Sequence, residues 1–149
     1  MKRIILFSVL AATASAAPVI RSGTSGIVNA ASYIPLGAQG KGIAQGSFFV
    51  IFGSGLGPSA IAIANPPFPT STGGTTVTIT PASGSPVSAF LYYALDGQVS
   101  GILPSTTPTG SANVTVTYSG ATSPPVKITV VKSVGVVDGR MPETWPSSA

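Results

Sequence analysis

The chain has 149 residues, with 18 glycines and 14 prolines, and it is 44% hydrophobic but only 7% charged. Seven basic residues stand against three acids for a formal charge of +4, and neither cysteine nor histidine occurs. Disulfide frameworks, Cys/His metal sites, Ser-His-Asp triads and Cys-His pairs are thereby excluded.

Met1-Lys2-Arg3 is followed by a short apolar run over residues 4–12 and then by Thr13-Ala14-Ser15-Ala16-Ala17. A charged start, an apolar middle and an Ala-x-Ala site predict a secretory signal peptide over residues 1–16. The apolar run is roughly half of the ~20 residues that a spanning helix needs, so no membrane anchor is expected. Losing Lys2 and Arg3 leaves five basic residues, Arg21, Lys41, Lys127, Lys132 and Arg140, against three acids. So weak and scattered a charge is no nucleic-acid footprint. Export without disulfides fits a bacterial protein, secreted or held in the cell envelope.

Residues 17–25 are mostly small and polar and read as a flexible lead-in. Residues 26–33, Gly-Ile-Val-Asn-Ala-Ala-Ser-Tyr, read as a first strand, and glycine-punctuated residues 38–46 as a loop. The centre of the chain is residues 46–58, Gly-Ser-Phe-Phe-Val-Ile-Phe-Gly-Ser-Gly-Leu-Gly-Pro. As a strand it points Phe48, Val50 and Phe52 one way and Phe49 and Ile51 the other. A short apolar piece over 60–64 leads to Asn65-Pro66-Pro67-Phe68-Pro69, whose prolines exclude a central strand and suit a change of sheet.

Thr76-Val77-Thr78-Ile79-Thr80 alternates, with Val77 and Ile79 inward. Residues 81–86 form a turn, and residues 87–95 read as a strand. Asp96-Gly97 then makes a two-residue turn into residues 98–103. Alternation returns over residues 112–118 and 126–130, separated by Ser119-Gly120. Some seven short strands, without helical periodicity or internal repeat, predict an all-β, immunoglobulin-like antiparallel β-sandwich over residues 26–137. An up-and-down barrel is the second reading. Residues 138–149, with Pro142 and Pro146, read as a disordered tail.

Several of these segments, in order, resemble a known family. They are Gly26-Ile27-Val28-Asn29-Ala30-Ala31-Ser32-Tyr33, Ile43-Ala44-Gln45-Gly46-Ser47 and Ile51-Phe52-Gly53-Ser54-Gly55-Leu56-Gly57-Pro58. Phe68-Pro69-Thr70-Ser71-Thr72-Gly73-Gly74, Leu91-Tyr92-Tyr93, Asp96-Gly97-Gln98-Val99 and Leu103-Pro104 follow. Over residues 26–137 the chain resembles the acidobacterial (Solibacter-type) uncharacterised C-terminal domain family, and more loosely IPT/TIG immunoglobulin-like domains. Gln45 stands where that family usually has proline, and Gly97-Gln98-Val99-Ser100 replaces its usual Gly-Gln-Ile-Asn. The resemblance implies an extracytoplasmic β fold and no activity.

The residues supply little chemistry. Asp96 is a turn residue, and Asp138 and Glu143 sit in the tail, so no carboxylate pair or calcium cage is expected. Gly53-Ser54-Gly55-Leu56-Gly57 lacks phosphate-loop spacing and is followed by Pro58, which has no N–H to offer. A serine–lysine dyad through Lys41, Lys127 or Lys132 has no supporting motif. Asn113-Val114-Thr115 matches a glycosylation sequon, but Asn113 reads as an ordinary outward strand residue. No catalytic residue, cofactor or metal is therefore expected.

Phe48, Phe52, Phe90 and Tyr92 are expected in the core. Phe49 and Ile51, on the opposite side of their strand, are the candidate interaction patch for a neighbouring domain or protein partner. Tyr93 and Trp145 are the candidate sugar-stacking pair for an extracellular polysaccharide. The sequence thus points to a non-catalytic module for adhesion, assembly or protein–protein contact. A carbohydrate-binding module is the runner-up and an enzyme a distant third.

Overall fold

The computed structural model describes residues 16–31 and 42–132. In chain order the strands are β1 (Val19–Ile20), β2 (Ile27–Asn29), β3 (Ile43–Ala44), β4 (Phe48–Ser54), β5 (Ala62–Ile63), β6 (Ser71–Thr72) and β7 (Thr75–Pro81). They continue with β8 (Val87–Ser88), β9 (Phe90–Leu95), β10 (Gln98–Ile102), β11 (Gly110–Tyr118), β12 (Ala121–Thr122) and β13 (Val126–Val131). Among the described residues there is no helix. The protein is an all-β sandwich.

The first sheet runs β1-β4-β10-β9-β5, with β2 also paired to β4. The second runs β3-β13-β11-β7-β6, with β8 on β7 and β12 on β11. All pairings are antiparallel except β3 with β13. Ile27, Phe49, Ile51, Leu91 and Val99 from the first sheet meet Val77, Ile79, Val114, Val116 and Ile128 from the second in one apolar cluster. Burying these side chains against each other is the main force joining the layers.

Where alternation is unambiguous, strand and face follow the sequence. In β7, Val77 and Ile79 are fully buried, while Thr76 and Thr78 are half-buried and Thr80 exposed. β11 repeats the pattern with Val114 and Val116 inward. Asp96-Gly97 closes the expected hairpin, with Leu95 opposite Gln98. The proline-rich stretch also behaves as expected, because β5 belongs to the first sheet and β6 to the second.

Several boundaries differ from the sequence reading. Residues 87–95 are two strands, since β8 pairs with β7 and β9 with β10, and the chain changes sheet at Ala89. Ala89 is fully buried, and its N–H donates to the Val77 carbonyl at 2.9 Å. Its small side chain lets the crossing pass through the core. Within the expected loop, Ile43 and Ala44 form β3, because both are buried beside the end of β13. Of the expected first strand over residues 26–33, Ile27–Asn29 form β2 and Ala30 and Ala31 form a turn, while residues 32 and 33 lie outside the described residues.

Residues 17–25 are not a loose lead-in. Val19 pairs with Ser54 and Ile20 with Gly53, and Ile20 belongs to the core. The Arg21 N–H donates to the Phe52 carbonyl at 2.8 Å. Gly53 is required by this contact, because a Cβ there would collide with the Val19 carbonyl. The expected signal peptide up to residue 15 and the tail over 138–149 lie outside the described residues.

Candidate functional site

β4 is apolar on both sides, so its own sequence does not say which side faces the core. The structure turns Phe49 and Ile51 inward, 3% and 0% exposed. These two residues are core and do not form the expected interaction patch. The reason lies in the neighbouring strand. Phe49 is opposite Gly101 in the β4–β10 register. A Cβ on Gly101 would stand 3.3 Å from the Phe49 ring, 3.0 Å from Leu91 Cδ2 and 2.8 Å from the Phe90 carbonyl oxygen. The missing side chain at 101 is the space the Phe49 ring uses.

The aromatics expected in the core are accordingly displaced outward. Phe48, Phe90 and Tyr92 are 41%, 42% and 40% exposed, and Phe52 is half-buried. Antiparallel partners share a face, which sets Phe90, Ile102 and Phe48 in one row across the sheet. Ile63, Tyr93, Ser100 and Val50 form the adjacent row.

A β-bulge completes the arrangement. Ser100 pairs with Tyr93, but the next residue, Gly101, pairs with Leu91, leaving Tyr92 unmatched. Leu91 and Ala94 are both fully buried. Between two inward residues that are three positions apart, Tyr92 and Tyr93 therefore both face outward. Strict alternation would have sent one of them into the core.

Phe68 joins them from the loop between β5 and β6. That loop is held against β9 by hydrogen bonds from Leu91 N–H to the Pro69 carbonyl (2.7 Å) and from Ala64 N–H to the Tyr92 carbonyl (2.8 Å). The Phe68 ring lies 5.6 Å from Tyr92 and 6.2 Å from Phe48, and Tyr92 lies 5.5 Å from Tyr93, all edge-to-face. This is the favourable geometry for aromatic quadrupoles, so the rings fix one another while still presenting apolar surface to solvent. At the margin the Gln98 amide donates to the Tyr93 hydroxyl. Arg21 sits 5.7 Å above the Phe52 ring as a cation–π contact.

Of the expected sugar-stacking pair, Tyr93 lies in this cluster, half-buried, and Trp145 lies outside the described residues. Asp96 is the hairpin residue expected, its carboxylate accepting from Gly55 N–H at 3.2 Å. No group of three metal-ligating side chains occurs among the described residues. Lys127 is exposed on β13 of the other sheet, and Lys132 is exposed just past the end of that strand.

The outer face of the second sheet has a different character. Ser71, Thr76, Thr117 and Thr122 form one row across the strands, and Ser88, Thr78 and Thr115 form the next. The Thr117 and Thr122 hydroxyls are hydrogen-bonded at 2.8 Å. Asn113 is exposed on this face, as its strand position implied.

Sequence reasoning missed the grouping of Phe48, Phe68 and Tyr92. One signal was available. Counting back from the Asp96-Gly97 turn places Val99 opposite Ala94, but nothing in the residues gives the register of β10 on β4 or marks the bulge at Tyr92. No protein-family model matches the chain, and no curated protein matches it either.

Proposed function

We propose that the protein is an exported, non-catalytic β-sandwich that acts in adhesion, assembly or protein–protein contact at the bacterial cell surface. The contact surface is the outer face of the first sheet, around Phe48, Phe68, Tyr92 and Phe90. The observation that carries this reading is the exposure of Phe48, Phe90 and Tyr92 together on one sheet face. A connected apolar patch of this kind marks an interaction site more often than an accident of folding. The Phe48, Phe68 and Tyr92 rings are held edge-on by one another, so little side-chain freedom is left to lose there on association. Phe48, Phe68, Phe90, Tyr92 and Tyr93 carry no charge, which favours a largely uncharged partner surface. Membership of the Solibacter-type domain family is proposed on the same footing, from the ordered segments of the sequence.

The test is capture of envelope proteins on immobilised protein, compared with a Tyr92→Ala/Phe68→Ala variant. Specific capture by the parent chain and loss in the variant, which stays folded with a melting temperature lower by only several degrees, is expected. Equal capture by both removes the aromatic face from the function.

The second reading, carbohydrate binding, rests on the Tyr93–Gln98 pair, which puts a hydroxyl and an amide beside the rings. Against it stands the edge-to-face packing, which offers no flat platform for a sugar ring. Retention on insoluble polysaccharide, lost in Tyr93→Ala, would move this reading ahead of the first.

A further inference from the structure

We propose that the free edge of β5 pairs with the same edge of a second copy of the chain, in a two-fold dimer centred on Ala62. β5 is the last strand of the first sheet, and Ile61 and Ile63 are 54% and 60% exposed there. The Ala64 N–H donates to the Tyr92 carbonyl at 2.8 Å, and Ala62 lies opposite Ala94. Hydrogen-bonding direction alternates along a strand, so Ala62 and Ala64 turn their backbone groups toward β9. The N–H and C=O groups of Ile61 and Ile63 then point to the open edge.

The sequence at this edge is nearly a palindrome. Pro58-Ser59-Ala60-Ile61-Ala62-Ile63-Ala64-Asn65-Pro66 reads the same in both directions about Ala62, apart from Ser59 facing Asn65. Antiparallel pairing about that residue sets Ile61 of each copy opposite Ile63 of the other, alanine opposite alanine and polar opposite polar. Each Ile61–Ile63 pair exchanges both of its backbone hydrogen bonds. A slip of one residue would match outward groups with groups already turned to β9, and a slip of two would set an isoleucine opposite Ser59 or Asn65. The prolines end the pairing on both sides, so the contact closes at two copies.

No charge guards this edge. Residues 42–95 contain no Asp, Glu, Lys or Arg, whereas Arg21 follows β1 at the opposite edge of the sheet and β13 carries Lys127. Charged side chains are a common device against strand addition, and β5 has none. Ser59, Ala60, Asn65, Pro66 and Pro67 are exposed, which leaves the approach open. So short a contact falls well below the ~800 Å² per partner of a standard interface, so the dimer is weak and its population rises with concentration. Residues directly opposite share a face, and the aromatic clusters of both copies therefore lie on one side of a continuous sheet. The value of that doubled surface rests on the function proposed above, while the dimer itself does not.

Sedimentation equilibrium of the full chain over a range of concentrations tests the pairing. A reversible monomer–dimer equilibrium is expected, weakened at least tenfold in Ile61→Lys/Ile63→Lys, which sets like charges opposite each other and leaves the circular dichroism unchanged. Tyr92→Ala/Phe68→Ala should dimerise like the parent, which separates the edge from the aromatic face. The chain has no cysteine, so Ala62→Cys supplies a lone thiol on the two-fold axis and should cross-link on mild oxidation. Ile63→Cys, which meets Ile61 of the other copy, should cross-link at least tenfold less. A parent that stays monomeric at about 1 mM overturns the inference. So does a dimer that survives the lysine changes, is lost with Tyr92 and Phe68 instead, or cross-links equally at 62 and 63. The contact-surface reading is untouched by these outcomes, because capture of envelope proteins reads it separately.

Discussion

The two outer faces of the sandwich are built from strands of similar length and the same pleat, yet one is aromatic and the other hydroxylic. On the second sheet, the outward positions of β7 and β11 are Thr76, Thr78, Thr80, Asn113, Thr115 and Thr117, which is the cheapest way to present a β-branched strand to water. On the first sheet, the corresponding positions of β4 and β9 carry Phe48, Phe52, Phe90 and Tyr92. Strand propensity alone would accept either set, because threonine and phenylalanine both favour extended backbone. The difference teaches that strand propensity does not choose the outer residues of a sheet, and it is the reason the contact surface is proposed on the first face rather than the second.

The comparison can be broken most severely by exchanging what faces in for what faces out. Phe49→Ala removes a ring from the core beside Gly101 and should lower stability by about 3–5 kcal/mol, read as a fall in the urea midpoint. Phe48→Ala, one residue earlier but outward, should cost far less. If the two effects came out in the reverse order, the assignment of faces would be wrong. Gly101→Ala tests the same packing from the other strand. Its new methyl group must push against the Phe90 carbonyl and the Phe49 ring, for a loss of about 1–3 kcal/mol in the same assay.

Smaller effects sharpen the contrast between the outer faces. Tyr92→Ala removes edge-to-face partners of Phe48, Phe68 and Tyr93 and should cost about 1 kcal/mol, while abolishing capture of a partner. Thr115→Ala, at the centre of the hydroxyl face, should stay within about 0.5 kcal/mol and leave capture unaltered. Partner binding that followed Thr115 instead of Tyr92 would transfer the function to the other sheet.

How far the sequence could be read follows from the same comparison. β7, β11 and β13 announce both strand and face, because Val and Ile alternate with Thr and Lys and only one set can be dry. β4 announces a strand without a face. Its assignment depends on Gly101, roughly fifty residues away, and such a contact becomes visible only once register is known. The bulge at Tyr92 is still less legible, since an unpaired residue is a property of two strands rather than of one. Expecting Phe48, Phe90 and Tyr92 in the core followed from hydrophobicity, and hydrophobicity cannot separate a core ring from one kept outside for contact.

The pairing order also has a consequence for how the molecule is made. β4 meets β10 through Phe52 and Gln98, and β3 meets β13 through Ile43 and Val130. Delivered from its N-terminus, Phe48-Phe49-Val50-Ile51-Phe52 must wait without its lateral neighbour on one side until β10 arrives. An apolar, uncharged pentad left in that condition is the kind of segment that stacks with copies of itself. Yield on dilution out of denaturant should therefore fall as protein concentration rises, and holdase chaperones should guard this chain early in its life.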